Sequence, residues 1–132
     1  MKRKFTVLLA DDDKVQTLML SGVLRTAGFA VATAFDATYA FMVAMKSPID
    51  AIVLDIQMPG GTGISVLERL KASSKTAQIP VVVLSGSTDP KAVDQVLALG
   101  AAEYLPKPVD VERLVAALNW VLGLSPEKGA TP

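Results

Sequence analysis

The chain has 132 residues, 51% of them hydrophobic, and its 13 basic residues balance 13 acidic ones. This length fits one domain with its own core, and the lack of a basic excess argues against direct binding to nucleic-acid phosphates. The sequence contains neither Cys nor His, which excludes disulfides, thiol catalysis, His-ligated zinc and a phosphohistidine on this chain.

The first residues only superficially suggest a signal peptide. Lys2, Arg3 and Lys4 precede the apolar residues 5–10, but Asp11 ends that run before it reaches the length of a signal-peptide core. No apolar run in the sequence is long enough to cross a bilayer. We therefore expect a cytoplasmic protein without membrane insertion.

Strand and helix patterns alternate along the chain. Apolar runs predict five strands, at residues 6–10, 29–34, 51–54, 80–84 and 102–105. Apolar residues at helical spacing and their flanking caps predict five helices, from Val15 to Gly28, Asp36 to about Lys46, Ile64 to Leu70, Asp89 to Gly100, and Asp110 to Val121. Residues 51–54 and 80–84 are continuously apolar, which indicates strands buried on both faces. The weaker character of residues 29–34 suits a sheet edge.

This alternation predicts an α/β fold in which a five-stranded parallel, doubly wound sheet is covered by helices on both faces. We assign residues 1–123 to this domain. Residues 124–132 have the composition of a flexible C-terminal tail.

Several side chains suited to chemistry follow the predicted strands at their carboxyl ends, where ligands bind in such sheets. Asp11 and Asp12 follow the first strand, Asp55 the third, Ser85 the fourth and Lys107 the fifth. If the first and third strands are neighbours, three carboxylates share one pocket, and their repulsion raises pKa values or requires a cation. Mg²⁺ suits such a pocket because it binds one or two carboxylates, keeps several waters and accepts phosphate oxygens.

These residues make Asp55 a candidate nucleophile for a phosphoryl group. Lys107 would place positive charge beside it, and Ser85 can hydrogen-bond the incoming oxygens. Each residue alone also has an ordinary interpretation, as a strand-end cap, a solvated lysine or a strand-end hydroxyl. Asp13 best fits a plain acid at a helix start. The prediction therefore depends on the convergence of the strand ends.

Four segments, VLLADDD, DAIVLDIQMPGGTG, PVVVLSG and GAAEYLPKP, identify a resemblance to bacterial two-component response-regulator receiver domains, in particular stand-alone receivers of the chemotaxis type. The resemblance covers about residues 4–122, with the segments in the family's order and spacing. It implies the flavodoxin-like strand order 2-1-3-4-5 and a cis bond between Lys107 and Pro108. It also implies that Asp55 is the phosphoacceptor.

The resemblance assigns further roles. The implied metal ligands for Mg²⁺ are Asp11, Asp12, Asp55 and the carbonyl of Gln57. Ser85 would be the switch hydroxyl, Tyr104 a rotating aromatic coupled to it, and Lys107 the phosphate-binding lysine. Tyr104 also has the ordinary interpretation of an aromatic packed in an edge strand.

The expected function is that of a signalling switch. The phosphoryl donor would be a sensor histidine kinase or a histidine phosphotransfer protein, and the switched surface would bind an output protein. Such a domain catalyses only its own phosphorylation and dephosphorylation. Thr62, Gln57 and Ser87 stand at positions where the family varies the entrance of the site and the lifetime of the acyl phosphate, and Ser85 replaces the commoner Thr.

Two alternatives stay open. A flavodoxin-like cofactor protein would share the architecture, but the acids of residues 11–13 would repel a flavin phosphate. A receiver-shaped interaction module that is never phosphorylated would not need the complete set of site residues. Trp120, Tyr39, Phe41 and Met42 have packing as their ordinary interpretation, and exposure of Phe41 and Met42 would mark a contact patch.

Overall fold

The computed structural model describes residues 4–57, 63–86 and 89–124. Its strands are β1 (Thr6–Ala10), β2 (Ala30–Ala34), β3 (Ala51–Asp55), β4 (Val81–Ser85) and β5 (Glu103–Pro106). Its helices are α1 (Lys14–Thr26), α2 (Ala37–Lys46), α3 (Gly63–Ala72), α4 (Pro90–Ala98) and α5 (Val111–Val121). The alternation predicted from the sequence is confirmed, with boundaries that differ by one to a few residues. Thr62, Ser87 and residues 125–132 of the predicted tail lie outside the described residues.

The five strands form one parallel sheet in the order β2-β1-β3-β4-β5, which confirms the predicted topology. The strand order changes direction between β1 and β3, so their carboxyl ends border the crevice where this architecture binds ligands. In register, Ala10 lies beside Leu54, and Asp55 lies beside Leu84. The chain segments that leave β1, β3 and β4 therefore start at nearly the same level of the sheet.

The core has two layers because side chains of a strand alternate between the faces of the sheet. Leu8, Ile52 and Leu54 face the layer under α2, α3 and α4. Val7 and Val53 face the opposite layer under α1 and α5. Every residue of β3 and β4 is buried, which confirms the prediction that these strands are covered on both faces.

Four helices begin at an aspartate whose carboxylate accepts hydrogen bonds from backbone N–H groups of the first turn. These N-caps are Asp13, Asp36, Asp89 and Asp110. Gly28 and Gly100, with φ of 102° and 108°, follow the ends of α1 and α4, in a backbone region that other residues rarely adopt. The N-caps predicted at Asp36, Asp89 and Asp110 are thus confirmed, and Asp13, which was predicted as an acid at a helix start, is also an N-cap.

Helix α1 exists where it was predicted, but most of the apolar residues that indicated it face solvent. Val15 is 80% exposed and Leu18 is 75% exposed. The buried face instead carries Thr17, Leu20, Ser21 and Leu24. Two apolar stripes therefore run along this helix, and packing of Leu20 and Leu24 against the sheet decides which of them is inside.

Phe41 and Met42, whose exposure would mark a contact patch, lie in different environments. Phe41 is half-buried, with the guanidinium carbon of Arg69 4.1 Å from its ring centroid, and it packs against the core. Met42 is 42% exposed and Tyr39 is 51% exposed. Trp120 is half-buried in α5.

Candidate functional site

Asp55 is the last residue of β3, and it is only 2% exposed. Its Oδ1 accepts a hydrogen bond from the backbone N–H of Gln57 at 3.1 Å. Its Oδ2 lies 3.0 Å from the Lys107 Nζ. The sequence predicts that Asp55 emerges where the third strand ends, because a core cannot hold an unpaired carboxylate. The structure confirms that the strand ends at Asp55 but buries its side chain there, where the ammonium and the N–H compensate the burial.

Asp11 follows β1 directly and is 3% exposed. Its Oδ1 accepts from the backbone N–H of Asp13 at 2.9 Å, and its Oδ2 accepts from the side-chain amide of Gln16. The Lys107 Nζ lies 3.9 Å from the same Oδ2. Lys107 therefore stands between two buried carboxylates that come from different strands.

Asp12 completes an acidic cluster at the carboxyl edge of the sheet. One carboxylate oxygen from each of Asp11, Asp12 and Asp55 can be chosen so that all three lie within 4.8 Å of one another. Asp12 is exposed, whereas the other two acids are buried, so the cluster opens to solvent on the Asp12 side. This oxygen-only donor set suits a hard divalent cation such as Mg²⁺.

Lys107 is brought to the cluster by the end of β5. Its backbone N–H donates to the Ser85 carbonyl at 2.8 Å, which continues the pairing of β4 and β5 by one residue. The bond between Lys107 and Pro108 is cis, as the resemblance implied. About a quarter of the lysine side chain, 24%, remains exposed, so the ammonium can contact a molecule that enters the site from solvent.

Burial raises the pKa of the Asp55 carboxyl above its ordinary value of 3.8. The N–H of Gln57 and the Lys107 ammonium oppose this shift because they stabilise the charged form, while the nearby charge of Asp11 adds to it. A cation bound among the carboxylates would act in the same direction as Lys107. Asp55 thus lies in a buried position whose hydrogen-bond donors compensate the charge of its ionised form.

Ser85 ends β4 and is 2% exposed, at the same edge of the sheet as Asp55. Tyr104 lies in β5 beside Val83 and is half-buried against the core under α4. Because side chains two residues apart share a face, Ser85 and Tyr104 lie on the same side of the sheet as Val83. Gln57 is exposed and lies two residues beyond Asp55. The sequence-predicted residues therefore gather at one edge, with Tyr104 set back along its strand.

The sequence analysis missed Gln16, which contacts the buried Asp11. A signal for it was present, since Asp13 and Gln16 have the D-x-x-Q spacing of a helix capping box. That pattern locates a helix start but does not indicate which group the glutamine amide binds. The contact with Asp11 could only be found in three dimensions.

The parallel sheet with three acids and a lysine at its carboxyl edge defines a flavodoxin-like domain with a site of the phosphoacceptor type. The sequence matches the family described as the response regulator receiver domain over residues 7–119. The chain belongs to this family. Receiver domains are signalling domains, so the flavodoxin-like cofactor protein is set aside as an interpretation of this fold.

Individual relatives agree with the family assignment. The two-component response regulator ORR6 of Oryza sativa subsp. japonica is 35% identical over 119 residues, which span 86% of this chain and 70% of that protein. The chemotaxis response regulator CheY4 of Vibrio cholerae has a similar structure, with a TM-score of 0.85 and 32% identity over 91% of this chain and 100% of that one.

A third relative is the receiver domain of the sensor histidine kinase PA1611 of Pseudomonas aeruginosa PAO1. Its TM-score is 0.84, with 25% identity, and the match covers 92% of this chain and 99% of that one. Its crystal structure has a magnesium ion coordinated in the active-site cleft. Within the described part of the present chain, no helix is both long and apolar enough to span a membrane.

Proposed function

We propose that this receiver takes a phosphoryl group onto Asp55 from the phosphohistidine of a sensor histidine kinase or a histidine phosphotransfer protein. The donor histidine would lie outside this sequence, because these 132 residues contain no His. The observation that carries the proposal is the contact of 3.0 Å between Asp55 Oδ2 and Lys107 Nζ at the edge of an acidic cluster. This contact places the Lys107 ammonium beside a buried nucleophile, where the ammonium can remain next to the transferred phosphoryl group.

The proposed reaction is a displacement at phosphorus. An ionised oxygen of Asp55 forms the new P–O bond, the P–N bond to the donor imidazole breaks, and its electron pair returns to the ring nitrogen, which takes up a proton from solvent. Lys107 neutralises charge on the phosphoryl oxygens as they arrive. The backbone N–H of Gln57 keeps the carboxylate oriented, since it donates to Oδ1.

Mg²⁺ is the cofactor that the donor set fits best, because the chain offers carboxylates and carbonyls here and has no Cys or His. Asp11, Asp12 and Asp55 would hold it, together with the Gln57 carbonyl. When bound, the cation would supply positive charge for the phosphoryl oxygens and relieve repulsion among the acids. The magnesium in the related Pseudomonas receiver supports this assignment.

Ser85 and Tyr104 are the proposed switch residues. Once Asp55 carries a phosphoryl group, the Ser85 hydroxyl would donate to one of its oxygens, which biases the β4–α4 loop toward one conformation. Tyr104, on the same face of the sheet, would follow that movement. The surface around α4 and α5 would then differ between the two states, and an output protein would distinguish them there.

We further propose a cytoplasmic location and a domain that spans residues 1–123. The domain would act as a switch that catalyses only its own phosphorylation and dephosphorylation. The acids and Lys107 that promote transfer would also position the water that later hydrolyses the acyl phosphate.

Acetyl phosphate with Mg²⁺, followed by intact mass spectrometry, tests the phosphoacceptor. We expect one phosphoryl group on the wild type and none on Asp55→Asn, because the amide is not a nucleophile. Asp94→Asn is a matched control, since Asp94 is exposed on α4. Undiminished labelling of Asp55→Asn would contradict the assignment. No labelling of the wild type, under conditions that label another receiver, would favour the interaction module instead.

A further inference from the structure

The side chain of Gln16 contacts the acidic cluster, and the phosphoryl transfer proposed above assigns it no role. It lies in the first turn of α1, half-buried, and its amide nitrogen donates a hydrogen bond to Asp11 Oδ2. Asp11 is one of the two buried acids of the cluster. The amide therefore acts directly on a carboxylate that is proposed to bind the cation.

The contact replaces one half of an ordinary capping box. In that motif the N-cap side chain accepts from the backbone N–H three residues later, and the glutamine at that position reaches back to the N-cap N–H. Here Asp13 accepts from the Gln16 N–H at 3.0 Å, as expected. The Asp13 N–H, however, donates to Asp11 Oδ1 at 2.9 Å. Because Asp11 has taken the N-cap N–H, the Gln16 amide is left to bind the other oxygen of Asp11.

Asp11, Asp13 and Gln16 therefore form a closed ring of three hydrogen bonds. Each oxygen of the Asp11 carboxylate accepts a hydrogen bond from a residue at the start of α1, and Asp13 caps that helix start. Rotation of the carboxylate about its Cβ–Cγ bond is thereby restricted. Each oxygen still has lone-pair capacity, since a carboxylate offers about four acceptor sites.

The charge of the donor matters as much as its position. The Lys107 ammonium also faces Asp11, at 3.9 Å, but it is a cation and would repel a metal ion. The Gln16 amide is neutral, so it orients the carboxylate without electrostatic competition. Removing a donor that hydrogen-bonds a metal ligand commonly weakens metal binding by about ten- to a hundredfold.

We propose that Gln16 is a positioning residue for the divalent-cation site, which fixes the Asp11 carboxylate for metal binding through the capped start of α1. This inference rests on the proposed function, since it assumes that Asp11 is a metal ligand. It adds a residue outside the acidic cluster and predicts that the α1 start and the metal site are energetically coupled.

Gln16→Met is the most informative variant because methionine keeps the length and helix propensity of glutamine and removes the donor. Gln95→Met, at an exposed position of α4, is the matched control. Mg²⁺ alone is titrated into each purified protein, with affinity read from amide chemical shifts. Urea unfolding is measured in EDTA and in saturating Mg²⁺. We expect Gln16→Met to weaken Mg²⁺ binding about ten- to a hundredfold, and Gln95→Met to leave it unchanged.

The unfolding data separate positioning from a merely structural role. A structural role lowers stability equally with EDTA and with Mg²⁺. A positioning role reduces the extra stability that Mg²⁺ confers, by about 1.4 kcal/mol for each tenfold loss of affinity. With acetyl phosphate, the variant should also be slow at low Mg²⁺ and recover its rate at saturating Mg²⁺.

Three results would be decisive against the inference. Unchanged or tighter Mg²⁺ binding by Gln16→Met, while the wild type binds the cation and is labelled on Asp55, overturns the role of Gln16 and leaves the proposed function intact. Equal weakening in the Gln95→Met control also removes the specific role of Gln16. A wild type that binds no Mg²⁺ overturns the metal site and this inference together.

Discussion

Gly63, the first residue of α3, packs directly on the backbone that carries the phosphoacceptor. A Cβ atom at this position would lie 2.5 Å from the Ile56 Cα and 2.6 Å from the Asp55 carbonyl oxygen. Ordinary Cβ contacts begin near 3.4 Å, so the strand end and the helix would have to separate by about 0.9 Å. Backbone atoms cannot rotate away as a flexible side chain can. We therefore expect Gly63→Ala to be destabilising.

The magnitude follows from two opposing effects. Overpacking in a core costs about 1–3 kcal/mol, whereas alanine is a better helix former than glycine by about 1 kcal/mol at most. With the full alanine gain subtracted, the midpoint of these values gives a net loss of about 1 kcal/mol in the free energy of unfolding, and their upper end gives about 2 kcal/mol. Gly63 also donates its N–H to the Ile56 carbonyl at 2.8 Å, and the forced separation would lengthen that hydrogen bond.

Urea unfolding followed by circular dichroism measures the effect, with Gly22→Ala as the matched control. Gly22 lies inside α1, is exposed, and would place no heavy atom within 4 Å of a new Cβ. The same substitution should there increase stability by about 0.5–1 kcal/mol. Gly63→Ala is thus expected to lower the free energy of unfolding and Gly22→Ala to raise it. A Gly63→Ala protein as stable as the wild type, with an unchanged urea dependence, would refute the reasoning from close contact.

Two further predictions concern the charge of the site and the orientation of α1. Because burial raises the pKa of Asp55 above 3.8, the folded state binds that proton more tightly than the unfolded chain. In EDTA, the stability of the wild type relative to Asp55→Asn should therefore fall as pH rises from 3.8 through the folded-state pKa of Asp55. Parallel pH profiles of unfolding for the two proteins would contradict this. Leu20 is 1% exposed, so Leu20→Ala should lower the free energy of unfolding by about 3 kcal/mol. Leu18 is 75% exposed, so Leu18→Ala should change the free energy of unfolding by less than about 0.5 kcal/mol. Similar losses for both variants in urea unfolding would mean that the helix faces are misassigned.

The sheet and the location of the site could be predicted because each rests on a local pattern with one physical solution. Continuous apolar runs in β3 and β4 require cover on both faces, and alternation with helices requires a parallel sheet. Parallel strands then bring their carboxyl ends to one edge. Asp11, Asp55 and Lys107 could therefore be placed together before any coordinates, although they are far apart in the chain.

Side-chain environments could not be predicted in the same way, because packing decides between locally equivalent choices. Both stripes of α1 have helical spacing, and only contact of Leu20 with the sheet shows which one is buried. The carboxylate of Asp55 can be buried at the end of β3 because the Gln57 N–H and the Lys107 ammonium both compensate its charge. The hydrogen bond from the Gln16 amide to Asp11 depends on where the backbone N–H of the N-cap residue Asp13 donates, and that N–H donates to Asp11. The roles of Ser85 and Tyr104 stay predictions.

Lys107 directly follows the last strand of the sheet, and this position has a consequence for how the protein is made. On the ribosome the acids of β1 and β3 emerge first, and the ammonium that stands between Asp11 and Asp55 emerges only when β5 does. Until then Asp55 lacks the ammonium that lies 3.0 Å from its Oδ2, and of the two compensating donors only the N–H of Gln57 is available. The reactive centre of a newly synthesised chain can therefore be assembled only after the last strand of the sheet has been made.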